Sequence, residues 1–179
     1  MAKKTSGIFF LRKTLTSDGA NFAQDSLDIS SFVNLTDGEC VRIKNIWFEW
    51  TSDDFFTISG TDIAASGAAA GASISGQVTT DSKSTIHSFA ATGMVAKNNL
   101  YAHIDATANI DFISQDTGLN PYDFQDGYIV ATDSIYFGAK GSAVDTWAND
   151  LMMTVLLECE TVKLSKDDAT ALLVGQTLG

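Results

Sequence analysis

The chain has 179 residues with one proline and two cysteines, a length that accommodates one hydrophobic core without covalent staples. Its 11 basic and 22 acidic residues give a formal charge of −11, which argues against nucleic acid or an anionic membrane as the main partner. No run of about 18 apolar residues is present to span a bilayer, and Met1-Ala2-Lys3-Lys4 leads into strand-like sequence without a secretory apolar region, so synthesis in the cytoplasm is expected.

Residues 1–6 read as a short arm carrying Lys3 and Lys4. Ile8 to Thr16 is the first predicted strand, closed by the turn Ser17-Asp18-Gly19. Leu27, Ile29 and Val33 alternate with Asp28, Ser30 and Asn34 in a second, which ends at Thr36-Asp37-Gly38. Cys40 to Trp50 is the richest apolar segment, and its alternation slips: Val41 and Ile43 share one parity, Ile46, Phe48 and Trp50 the other. That slip predicts a bulge near Asn45 and turns Trp47 and Glu49 outward beyond it. An outward Trp47 marks either a contact with another molecule or a half-covered sheet edge.

From Ser52 to Ser75 the composition shifts to Gly, Ala, Ser and Asp, which predicts a long loop; a short helix over Ala64–Ala72 is disfavoured by its glycines. Short strands are expected at Ser73–Thr80 and Thr85–Ala91. In residues 99–113, Leu100, Ala102, Ile104, Ala106, Ala108, Ile110 and Phe112 alternate with polar positions, the period-two signature of a half-buried strand. The run exceeds the usual ~5–6 residues, so it is either one very long strand or a strand bent near Ala106–Ala108 that serves two sheets. Ser114–Gly127 then reads as a second large loop containing Pro121. Its Asp116, Asp123 and Asp126 are candidate Ca2+ ligands, but their spacing lacks the Asp-x-Asp-x-Asp-Gly pattern, so a solvated turn with no metal or other cofactor is the reading adopted.

Tyr128–Gly138 and Leu151–Leu164 are the last predicted strands, joined through a flexible Gly138–Ser142 connection. Leu151, Met153, Val155, Leu157 and Cys159 share one face of the final strand. A short C-terminal helix follows, with Ser165 as its cap, Asp168 three residues on, and Ala169, Leu172 and Leu173 on one face. About eight strands without βαβ alternation make the chain an all-β antiparallel β-sandwich or barrel.

Catalytic constellations are sparse. His87 and His103 are the only histidines, and His103 lies two residues from Asp105 on a polar strand face, without a Gly-x-Ser-x-Gly elbow or a His-x-x-x-His pair. Asp105 and Asp111 form a carboxylate pair of the kind glycosidases use, but among so many acidic residues the pair carries little information. Cys40 and Cys159 lie far apart in apolar runs and read as buried thiols, and Lys44, Lys97 and Lys140 form no basic stripe. The balance points away from an enzyme and toward interaction. The expected subunit-contact residues are Lys3, Lys4, Trp47 and the small-residue run Ala68, Ala69, Ala70, Gly71 and Ala72.

With its basic arm Met1-Ala2-Lys3-Lys4, strands including Val41–Trp50, Leu100–Phe112, Tyr128–Gly138 and Leu151–Leu164, and large loops between them, the sequence resembles the single jelly-roll capsid proteins of small icosahedral viruses. The resemblance is architectural and has no specific motif. It implies one jelly-roll domain over residues 1–179 that assembles with copies of itself, and with other virion proteins, into the shell of a virion. The acidic balance departs from capsids that touch nucleic acid directly, and suits a shell over an internal membrane or one with separate genome-binding proteins. Two other classes share these features. A phage tail-tube or head-decoration subunit would form rods, rings or trimers, and a carbohydrate-binding module would offer Trp47, Trp50 or Trp147 as a stacking platform.

Overall fold

A computed structural model describes residues 3–63, 70–107, 109–142 and 147–177. Among these residues the strands are β1 (Lys3–Lys4), β2 (Phe9–Thr16), β3 (Ala23–Asp28), β4 (Glu39–Ser52), β5 (Ala70–Thr79), β6 (Met94–Ile104), β7 (Ile110–Leu119), β8 (Tyr128–Val130), β9 (Ser134–Gly141) and β10 (Leu151–Lys163). Two helices, α1 (Gly60–Ile63) and α2 (Lys166–Thr177), and two 3-10 turns complete the described elements.

The strands form two antiparallel sheets. In the first, β4 lies along one side of β10, β1 and β2 follow one another along its other side, and β8 closes the far edge of β4. The second sheet runs β3-β9-β5-β6-β7. Except at β1–β2 and along β5–β6–β7, successive strands pass from sheet to sheet, with β2, β4, β8 and β10 facing β3, β5, β6 and β9, which is the nested Greek-key winding of a jelly roll. The sandwich and the C-terminal helix agree with the sequence reading; β1, β7 and the division of Tyr128–Gly138 add three strands and the loss of Thr85–Ala91 removes one, giving ten among the described residues rather than about eight.

The core lies between the sheets. Ile43, Ile46, Met153, Val155 and Leu157 from the first sheet meet Ile74, Leu100, Ile104, Ile135 and Phe137 from the second, each side chain contributing roughly 1.5–3 kcal/mol by leaving water. The sheets approach closely at Gly76, where an added Cβ would run into the Met153 sulphur and the Trp50 ring. Beside this contact Trp50 Nε1 donates to Asn98 Oδ1 at 2.7 Å, and Gln115 Nε2 donates to Phe48 O at 3.1 Å and Asn98 Oδ1 at 3.2 Å. This network ties β4 to β6 and β7 and satisfies polar groups whose burial unpaired would be costly.

The bulge is where the parity slip puts it. β10 pairs Glu158 with Asn45 and Cys159 with Ile43, skipping Lys44, and Trp47 and Glu49 point out beyond it. Other expectations are corrected. The run 99–113 neither continues nor serves two sheets, because Asp105 reverses the chain: its Oδ1 accepts from Thr107 N, Thr107 Oγ1 and Asn109 N, and β6 and β7 form a hairpin within one sheet. The start of the expected loop Ser114–Gly127, up to Leu119, belongs to β7, and the end of the loop expected over Ser52–Ser75 belongs to β5, because main-chain pairing to β6 holds both runs extended despite small or polar side chains.

Thr85–Ala91 is not a strand. It is a strap across the second sheet, clamped by Gln77, whose Nε2 donates to Thr85 O and whose Oε1 accepts from His87 N. Tyr128–Gly138 is two strands rather than one, since residues 131–133 carry the chain from the first sheet to the second, and Gly138–Gly141 continues β9 instead of forming a loose connection. The second predicted strand stops at Asp28, after which a 3-10 turn at Ser30–Phe32 follows.

Candidate functional site

The outward face of the first sheet carries exposed apolar ground. Cross-strand register sets Leu156 between Arg12 and Trp47, Thr154 between Thr14 and Glu49, and Glu158 between Phe10 and Asn45. Arg12, Trp47, Phe48, Glu49, Thr154 and Leu156 line an open groove of about 300 Å3. Trp47 is 45 % exposed and Phe10 stands open nearby. Trp50 and Trp147 are buried, so of the three tryptophans named as alternative stacking platforms only Trp47 is open.

A second open surface is the β7 edge. Residues 111–117 are exposed throughout, with Phe112 53 % and Ile113 52 % exposed on opposite faces, so the hairpin stands out beyond the sandwich like a wing. On its outer face the Phe112 ring lies 5.9 Å from that of Tyr101. A register shift between His103 and Ile104 brings Asp111 beside His103, and Asp111 Oδ1 lies 2.8 Å from His103 Nδ1. His103 and Asp105, two residues apart in the sequence, do not meet, since Asp105 is occupied in the turn.

The remaining sheet edges are guarded, as natural sheets commonly are. Lys13 of β2 and Asp25 of β3 form an ion pair at 2.5 Å. The short β8 is covered by α2, where Gln176 accepts from Ala131 N at 2.9 Å and donates to Ile129 O at 2.6 Å. Ala169, Leu172 and Leu173 of α2 settle on Cys40, Ala131 and Val162, as the helical spacing predicts, and Ser165 Oγ bonds Asp168 Oδ2 at 2.6 Å in the expected cap. The β7 edge has no such cover among the described residues.

Lys3 and Lys4 do not hang free: they pair with Lys163 and Val162 of β10. Lys4 Nζ lies 2.9 Å from the buried Glu160, which also receives Arg42 Nη1 at 3.2 Å. Burial alone would raise the Glu160 carboxyl; the Lys4 hydrogen bond, with the Lys4, Arg42 and Lys44 charges, outweighs burial and holds it below its ordinary value. The sequence offered no sign of this latch, because its partners are 118 and 156 residues apart, counted from Arg42 and Lys4 to Glu160.

Of the small-residue run, Ala68 and Ala69 lie outside the described residues. Ala70, Gly71 and Ala72 open β5, with Ala72 fully buried and Gly71 under the Tyr101 ring. The three carboxylates weighed as Ca2+ ligands occupy separate places. Asp116 sits opposite Asn99 on β7, Asp123 Oδ2 caps its 3-10 turn by accepting from Asn120 N, and Asp126 lines a separate pocket of about 220 Å3 with Arg42, Lys44, Tyr122 and Phe124. Among the described residues no group of three or more His, Cys, Asp and Glu side chains is placed to hold a metal ion, and no helix is long and apolar enough to cross a membrane. Burial pushes the Cys159 thiol up to about 12, with the Glu158 charge adding to it, and raises Cys40, so neither thiol offers a nucleophile.

These features define an antiparallel jelly-roll sandwich, the fold of viral capsid proteins. Neither a family model nor a curated protein matches the sequence. Among solved structures, the VP1 protein of Trichodysplasia spinulosa-associated polyomavirus, in complex with GM1 oligosaccharide, is similar with a TM-score of 0.51 at 6% identity, over 90% of this chain and 97% of that one. Apo chimpanzee polyomavirus VP1 is similar with a TM-score of 0.51 at 7% identity, over 91% and 98%. At such identities the likeness is one of fold.

Proposed function

We propose that the chain is a virion structural protein, a self-assembling coat subunit whose main partner is a second copy of itself, and that residues 1–179 act as one domain with residues 1–6 as an arm. The observation that carries this reading is apolar surface left uncovered on an otherwise acidic jelly roll: Phe10 and Trp47 on one sheet, Phe112 and Ile113 on the other. Exposed apolar ground of this kind marks interaction sites, and closed symmetry lets one pair of patches serve many subunits. The formal charge of −11 sets the inner contents apart from direct contact, which suits a shell whose genome is neutralised by other components.

Negative-stain microscopy with light scattering, across salt and with or without Ca2+, tests the proposal. Closed shells or capsomer-like rings are expected. Rods would favour a tail-tube subunit, and a strictly monomeric protein under every condition would overturn self-assembly. Deleting residues 1–6 should leave a folded subunit that assembles less readily; unchanged particles would remove Lys3 and Lys4 from the contact set.

A further inference from the structure

Two exposed patches differ in a way that makes them complementary. The groove on the first sheet is apolar at Trp47 and Leu156 and carries Arg12 on one wall. The β7 wing presents Phe112 beside Tyr101 and carries Asp111 and Asp116 with no basic residue along the strand. Among the described residues neither Arg12 nor Asp116 has an ion-pair partner, and both are exposed. The two patches lie on the outward faces of opposite sheets, so they do not meet within one chain.

We propose that the β6–β7 wing of one copy docks in the Trp47 groove of the next, with Phe112 against Trp47 and Leu156 and Asp116 facing Arg12. This inference rests on the self-assembly reading and names its contact. A groove of about 300 Å3 accepts a single aromatic side chain. Glu49 on the opposite wall meets the side of β7 that has no strand partner, where main-chain N–H groups are available to a carboxylate. Because wing and groove are different surfaces, the contact is head-to-tail: every copy gives one wing and receives another, and the series closes into a ring if the rotation between copies divides the circle.

The test uses the full chain with one cysteine added per variant, Thr154→Cys in the groove and Ser114→Cys beside Phe112, so that Trp47 and Phe112 are kept. Cys40 and Cys159 are buried and give little background. Mixed under diamide oxidation, the two variants should give a cross-linked dimer about tenfold above either variant alone, provided the two Cα atoms approach within ~7 Å. Arg12→Glu should raise the concentration needed for assembly about tenfold or more, and Asp116→Arg in the same chain should restore it. Assembled samples that give no mixed cross-link, or cross-links of Thr154→Cys with itself, would overturn this contact while leaving self-assembly standing. A wild-type protein that never sediments above the monomer would overturn both.

Discussion

Glu160 lies 3 % exposed on the outward face of the first sheet, where a carboxylate is tolerable only with its charge matched. Arg42 and Lys4 supply the match, and Lys4 in turn fastens the chain start to β10. Glu160→Ala should therefore cost about 3 kcal/mol in urea unfolding, because it leaves Arg42 unpaired. Lys4→Ala, removing a half-exposed partner, should cost under about 1 kcal/mol. Since the folded carboxyl titrates below its ordinary 4.5, the stability it contributes is fully present above that pH and is lost as pH falls through the lower folded value. Stability measured against pH should fall in that acid window for the wild type, and Glu160→Gln should flatten the fall; an unchanged slope would remove Glu160 as its source. The thiols give a second check. Cys40 and Cys159 should stay unreactive to a thiol reagent at neutral pH and react only on unfolding.

At the scale of elements, α2 is held by the packing of Ala169, Leu172 and Leu173 and by Gln176, which bonds the open edge of β8 as a strand would. Gln176→Ala should leave the buried Ala131 N–H and the half-buried Ile129 carbonyl unpaired, costing about 2 kcal/mol, and hydrogen exchange at Ala131 should accelerate more than at β10 amides. Equal protection in both variants would show that apolar packing alone holds the helix. Elements with a buried face were the legible ones. β10 alternates cleanly because one side meets the core, and the slip in β4 exposed its bulge because parity changes at a skipped residue. The hairpin at Asp105 was hidden because Ala106, Thr107 and Asn109 sustain the period of two through the turn. β7 was hidden because it is exposed on both faces from Asp111 to Thr117, leaving no alternation to read. Trp47 was legible from parity, whereas the wing it is proposed to meet and the Glu160 latch depend on pairings between distant segments, which a single sequence does not display.

For the molecule as a whole, the jelly roll leaves apolar side chains open on both sheets, Phe10 and Trp47 on one and Phe112 and Ile113 on the other, and guards the other described edges with an ion pair or a helix. That distribution suits a subunit whose stable state is reached among its copies, and it predicts that Trp47→Ala weakens assembly while leaving the melting temperature nearly unchanged, since the indole is 45 % exposed in the single chain. The same substitution should leave the far-ultraviolet spectrum unaltered. The most direct test is sedimentation velocity of the purified protein over a wide concentration range. A self-assembling subunit should give a fast-sedimenting species that grows with concentration and is depleted by Trp47→Ala; a single 19.1 kDa species at every concentration would rule self-assembly out.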